Sequence, residues 1–308
     1  MKKIIVFGNQ QIALDCIKIL INIKDVNLLA VVGCKTKQDI SVGYPSIKEY
    51  CARNNILYYN PEKLDENFLK VIKILKPDLC FSIFSKKYFS QNYLSMPPMG
   101  FINVHASLLP KYRGPTPVIW ALVNNEDKVG ITLHYLDKEI DTGDIIGQSE
   151  IKVPKNISGY DLKPIITKKG VQLFKRELPL ILKGTNKRVK QNHANATYYG
   201  QYSSELKIIN WFLPVKNISR QVQALTKPYD GTKAFILDKE LLIWKAKVIR
   251  YSKKKLSGPG KIIKVYTDGK FIVSGVDGHL LIEDYQWLSA LENEPSKYIK
   301  VGNKFKLY

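Results

Sequence analysis

Along the first half of the chain, short apolar runs alternate with longer stretches of helical spacing. Residues 3–8 (KIIVFG) read as a buried strand that ends on a glycine, and Ile12, Cys16, Ile19, Leu20 and Ile23 then recur at near-helical intervals. Residues 27–33 give the next strand, 46–54 a helix, 56–59 a short strand, 61–75 a helix with proline at its start, and 78–84 another strand. This alternation predicts an α/β fold, a Rossmann-like and mostly parallel sheet with helices on both faces. Ligands of such sheets sit at the carboxyl ends of the strands, where Asn9, Gln10, Ser85, Lys86, Lys87, Asn103 and His105 fall. Gly8 stands alone, and the lack of G-x-G-x-x-G after the first strand argues against a dinucleotide site of the usual kind.

Further on, a strand over 144–150 is followed by a long helix over 158–182, interrupted near Pro164 and Gly170, with Leu173, Phe174, Leu178 and Ile181 as its buried face. The chain then turns polar and loses its period. Past Asn210 the pattern changes to a helix over 214–225, a KPYDG turn, and short strands over 233–237, 241–249, 261–266, 270–276 and 279–284 separated by Gly/Asp turns. Strands of this length and spacing predict a small barrel or sandwich. The organisation expected is a catalytic domain over 1–185, a linker over 186–209 and a β-rich domain over 210–308.

Composition changes this picture little. At 308 residues with 45% apolar and 24% charged content, the chain has the make-up of an ordinary soluble protein with room for two cores. No leader peptide or membrane span is read, so a cytoplasmic location is the expectation. Cys16, Cys34, Cys51 and Cys80 are isolated, which points to buried thiols rather than disulfides or metal ligands. The net charge of +21 fits a nucleic acid, an anionic nucleotide or a membrane surface, but equally a Lys-, Ile- and Asn-rich composition. The lysines are scattered and the densest run, Lys253-Lys254-Lys255, is short.

Candidate chemistry concentrates between Gly100 and Asp144. In FINVH the alternation puts Asn103 and His105 on one face of a strand, and a Pro/Gly-rich loop follows. A second strand over 130–136 leads into a turn carrying Asp141. If the two strands are neighbours, an amide, an imidazole and a carboxylate meet. That trio suits acyl transfer to an amine: His105 as base, Asp141 fixing its tautomer and stabilising its cation, and Asn103 donating to the oxyanion. The four histidines lack ligand spacing, so no metal is expected.

The joint pattern N-x-H-x-S-L-L-P-x-Y-R-G followed by D-T-G-D resembles the formyltransferases that use N10-formyltetrahydrofolate, over essentially the whole chain and more loosely in its last third. The resemblance implies an OB-like C-terminal domain and a catalytic trio at Asn103, His105 and Asp141. It also implies a folate site walled by Lys87, Tyr88 and Phe89 and by the turn Asp137, Lys138, Glu139, Ile140 and Asp141. Some sugar formyltransferases carry an arginine after Y-R-G; Pro115 stands there in this chain, so that contact is missing or supplied elsewhere. Acceptors in this family include nucleotide-linked amino sugars of surface polysaccharide precursors and the methionyl group of initiator tRNA. Residues 33–51 lack the long basic loop of the tRNA enzymes, which favours a sugar nucleotide, with a dTDP-linked 4-amino-4,6-dideoxyhexose as the best single guess. The basic charge favours tRNA, and a catalytically silent folate-binding protein is the third reading. Asn9, Gln10 and Tyr229 are expected on the acceptor side, and the family's habit makes a homodimer an expectation.

Overall fold

A computed structural model describes residues 1–33, 46–203, 205–250, 257–289 and 295–307. Cys34, most of the 33–51 stretch and Lys253-Lys254-Lys255 lie outside the described residues. In chain order the elements are β1 (Lys2–Gly8), α1 (Gln10–Ile21), β2 (Val26–Gly33), α2 (Ile47–Arg53), β3 (Leu57–Tyr59), α3 (Glu66–Leu75), β4 (Leu79–Ile83), α4 (Gln91–Leu94), β5 (Phe101–His105) and α5 (Pro117–Val123). They continue with β6 (Lys128–Tyr135), β7 (Ile145–Lys152), α6 (Gly159–Lys183), α7 (Val215–Leu225), β8 (Thr232–Ile236), β9 (Lys239–Ile249), β10 (Lys261–Val265), β11 (Phe271–Ser274), β12 (His279–Trp287) and α8 (Pro295–Tyr298). Two compact units result: Met1–Gly114, Lys128–Ile151 and Pro164–Tyr199 form the first, and Pro115–Asp127, Lys152–Lys163 and Gly200–Tyr308 the second.

The first unit holds a seven-stranded sheet in the order β3-β2-β1-β4-β5-β6-β7. Pairing is parallel from β3 through β5 and turns antiparallel at β5–β6. β1 sits mid-sheet, and Ile4, Ile5, Val6 and Phe7 are fully buried, as an unbroken apolar run requires. Phe7, Phe89 and Phe101 pack ring on ring with centroids 4.8 to 5.5 Å apart and anchor the core under β1 and β5.

Two expectations are corrected. The helix expected from Pro61 begins at Glu66, because Asp65 caps it: its Oδ1 accepts the Phe68 N–H at 2.9 Å. The long helix α6 runs without the interruption expected near Pro164 and Gly170. Its buried stripe, Leu162, Ile166, Leu173, Phe174, Leu178 and Ile181, outweighs the local cost of proline. Gly170 marks a close approach, since a Cβ there would lie 2.5 Å from Ile131 and 2.6 Å from Ile12.

The second unit is built on an antiparallel five-stranded sheet, β10-β11-β12-β9-β8. Its two outer strands are joined by one segment: Phe305 bridges to Ile236 on β8 and Lys304 to Lys261 on β10. The sheet thereby closes on itself, as the OB-like expectation requires. Trp211 stacks on Phe305 at 4.9 Å inside, and Val215, Ile218 and Val222 of α7 join the same core. β12 runs on to Trp287, beyond the expected end at Asp284. No helix among the described residues is long and apolar enough to cross a membrane.

Phe305 is 1% exposed and stands at the closure of the sheet. Phe305→Ala is expected to destabilise the chain by about 3–5 kcal/mol, read as a lowered midpoint in urea unfolding; a midpoint within error of the parent would contradict this role.

Candidate active site

The antiparallel step from β5 to β6 builds the site. β5–β6 register sets Asn103 opposite His134 and His105 opposite Thr132. The chain leaving β6 turns through residues 137–144 and brings Asp141 back over Asn103 and His105. Asp141 takes a left-handed φ of 57°, a conformation that costs energy in any residue with a Cβ. Two residues on, a Cβ at Gly143 would lie 2.1 Å from the Tyr135 carbonyl, so only glycine fits. Asp137 stitches the turn by accepting from the Glu139 N–H at 3.1 Å and from the Thr142 hydroxyl.

His105 and Asp141 are both buried. The imidazole Nε2 lies 2.9 Å from the Tyr112 carbonyl, and Nδ1 lies 3.5 Å from Asp141 Oδ2. A carbonyl can only accept, so hydrogen-bond geometry assigns the resting proton to Nε2. Tyr112 therefore sets the tautomer, a role expected of Asp141; the carboxylate faces the Nδ1 lone pair and favours the cation. Burial pushes the His105 pKa down and His134 pushes it further, while Asp141 and the Tyr112 carbonyl pull it up; the net effect is a lowered value. Burial pushes the Asp141 carboxyl up, but His105, His134 and the Gly114 N–H together hold it far below the usual carboxylate range.

Asn103 Nδ2 is 3.1 Å from His134 Nε2 and 3.4 Å from Asp141 Oδ1. His134 Nδ1 is 2.8 Å from the Tyr135 carbonyl and takes the ring proton there, leaving Nε2 to accept from Asn103. Gly114 N–H donates to Asp141 Oδ2 at 2.9 Å. The amide, two imidazoles and a carboxylate thus form one connected set. His134 enters the set as the register partner of Asn103.

The other expected site residues differ in their surroundings. Lys87 Nζ is engaged with the carbonyls of Pro61 and Glu62, the latter at 2.8 Å. Tyr88 is 71% exposed, whereas the Phe89 ring is spent in the core. Lys138, Glu139 and Ile140 are exposed on the turn before Asp141. Asn9 is buried at the end of β1, its N–H on the Ile83 carbonyl at 3.1 Å, and Gln10 follows with a left-handed φ of 65°. Tyr229 belongs to the second unit, 5.0 Å from Lys163 Nζ. Arg113 and Gln191, both buried near Asp141, were not foreseen.

The depressed Asp141 pKa has a defined sign. The unfolded chain binds a proton more readily there, so stability is present above the unfolded value of about 3.9 and is lost as pH falls toward the folded one. The stability gap between the parent and Asp141→Asn is expected to shrink as urea titrations move from pH 7 into that range; a pH-independent gap would contradict it.

Known proteins match the chain over both of its units. Residues 2–178 match the formyl transferase family and residues 201–300 the formyl transferase C-terminal domain. The methionyl-tRNA formyltransferase of Clostridioides difficile is 33% identical over 305 residues, 98% of this chain and 97% of that protein. The corresponding protein of Ruminiclostridium cellulolyticum is 30% identical over 306 residues, with 98% and 97% covered. Among solved structures, WlaRD, a sugar 3N-formyl transferase crystallised with dTDP and 5-N-formyl-THF, superposes with a TM-score of 0.69 at 25% identity, covering 94% of this chain and 99% of its own. A 4-N formyltransferase from Francisella tularensis gives a TM-score of 0.62 at 27% identity, covering 77% and 93%. With matched domains spanning both units and a buried amide–imidazole–carboxylate set suited to acyl transfer, the chain belongs to the formyl transferase family and is an enzyme of formyl transfer.

Proposed function

We propose that the chain moves the formyl group of N10-formyltetrahydrofolate to the amine of a nucleotide-linked amino sugar used in surface polysaccharide synthesis. The observation that carries the chemistry is the buried contact set joining Asn103, His105, His134 and Asp141. The acceptor class rests on the likeness to WlaRD over nearly the whole of both chains. The donor fits the residues present: Tyr88 and Ile140 are large apolar side chains left exposed, as a planar ring system needs, and the turn Asp137–Ile140 offers backbone groups. Lys87, Tyr88 and that turn would hold it; Phe89 contributes through its backbone. The donor supplies an activated one-carbon acyl group on nitrogen. In the transfer, that carbon–nitrogen bond is exchanged for one to the acceptor amine.

The residues divide the work. His105, kept neutral by burial, is the base that takes the amine's proton. The resulting imidazolium lies between the Tyr112 carbonyl and the Asp141 carboxylate, both of which favour it. It then returns the proton to the leaving nitrogen. Asn103 keeps its His134 contact and exchanges the longer 3.4 Å contact to Asp141 for the developing oxyanion.

A second reading, methionyl-tRNA as acceptor, is favoured by the 30–33% identity to methionyl-tRNA formyltransferases over nearly the full chain. A formyl-transfer assay decides, with N10-formyltetrahydrofolate, a panel of dTDP-, UDP- and GDP-linked 3- and 4-amino sugars, and charged initiator tRNA. Turnover on a sugar nucleotide alone is expected; formylation of methionyl-tRNA alone would overturn the acceptor.

Asn103→Ala is expected to lower kcat by about 100- to 1,000-fold with little change in the donor KM. Parent-like rates in that variant would sink the role. Because burial lowers the His105 pKa, a titration of its ring followed by NMR should place its midpoint below the ordinary histidine value of about 6.5. A midpoint at or above that value would contradict the assignment.

A further inference from the structure

Residues 186–199, polar and without period, lie against the first unit. Val189 pairs with Ile145 through N–H···O bonds of 2.8 and 2.9 Å. Further along, the same segment grips the loop that touches both His105 and Asp141. Thr197 accepts from the Tyr112 N–H through its hydroxyl at 2.8 Å and from the Arg113 N–H through its carbonyl at 2.9 Å. The Tyr199 N–H returns a bond to the Arg113 carbonyl at 3.0 Å, and its ring stacks on Tyr112 at 5.0 Å. A Cβ at Gly114, whose φ is 97°, would lie 2.3 Å from the Tyr199 carbonyl.

Within this strap, Gln191 is placed unlike any other residue. Its Nε2 donates to the carbonyls of Asp141 at 2.9 Å and Gly143 at 2.8 Å, on either side of Thr142. Its Oε1 accepts from Arg113 Nη2 at 2.7 Å and Nε at 3.2 Å. Arg113 is fully buried, and it also meets the Tyr198 hydroxyl and His193 Nδ1, the latter at 3.3 Å. A guanidinium donates only and a side-chain amide offers one acceptor, so the Arg113 fork fixes which end of Gln191 faces the turn. The amide end must then meet two carbonyls, and it holds the backbone of Asp141 in the left-handed conformation that its own Cβ disfavours.

We infer that Gln191, oriented by Arg113, is a positioning residue that holds the Asp141 carboxylate toward His105 and Asn103, and that the 186–199 segment is part of the catalytic apparatus. The inference rests on the assignment of His105 and Asp141 proposed above. Gln191 touches neither reacting group and acts through the turn.

Two substitutions separate its halves. Gln191→Leu removes both, whereas Gln191→Glu keeps an acceptor for Arg113 and sets a carboxylate against the two carbonyls in place of a donor. The groups facing His105 are Asp141 from the turn and His134 from β6, with the Tyr112 carbonyl from the loop. Asp141 pulls the His105 pKa up, so releasing it moves the titration to lower pH. The test is an NMR titration of the His105 ring in the full chain, with Asp141→Asn as the reference, alongside kinetics on whichever acceptor turns over.

Both Gln191 variants are expected to move the His105 titration in the direction of Asp141→Asn. Both should lower kcat by about 10- to 100-fold, with the donor KM within about twofold. Arg113→Lys, which keeps the charge but loses the fork, should give a smaller shift of the same sign and stands in if the Gln191 variants fail to fold. If Asp141→Asn abolishes turnover while the Gln191 variants keep the parent titration and kcat, the positioning role is wrong and the site assignment stands. If Asp141→Asn itself keeps parental turnover, the site assignment fails and this inference goes with it.

Discussion

A carboxylate held ionised inside the protein is the constraint on which the rest of the first unit depends. Burying Asp141 opposes its charge, and the chain answers with a backbone N–H from Gly114, an amide N–H from Asn103 and, beside them, two imidazoles that attract the carboxylate when protonated. Each group comes from a different piece of chain. Asn103 needs the end of β5, His134 needs β6 antiparallel to it, and Gly114 needs the loop after β5 to fold back. The switch from parallel to antiparallel pairing at β5–β6 is thus a requirement of the charge as much as a feature of the sheet.

The same carboxylate organises the chemistry. Acyl transfer to an amine needs a base that is neutral at rest and tolerable when charged, demands that pull burial in opposite directions. Burial gives His105 the first, and the Tyr112 carbonyl and Asp141 give it the second. His134, whose protonated Nδ1 is tied to its neighbour's carbonyl, gives Asn103 an acceptor that holds the amide plane without needing a charge.

Much of this was legible in the sequence because it follows period and residue type. The apolar runs of β1 and β4, the alternation in FINVH and the D-T-G-D turn each carry their meaning locally. Other features were hidden for physical reasons. Proline at 164 reads as a break, but the buried stripe that overrides it is spread over α6 and shows its weight only against the sheet. Phe89 and Tyr88 read alike, yet one ring fills the space between Phe7 and Phe101 and the other stands in solvent. Gln191 had no signature at all. It binds backbone carbonyls, which any sequence presents, far along the chain from its own position.

In the second unit, the bridges from Lys304 and Phe305 to β10 and β8 reach beyond packing. A sheet edge is a row of unpaired N–H and C=O groups that any extended strand can read, including one from another copy of the same chain. Here one short segment occupies both edges at once. Whatever dislodges it opens both edges together, with the Ile208 bridge to Lys233 left as cover on β8, so much of the guard against unwanted strand addition in this unit lies in a few residues near Phe305.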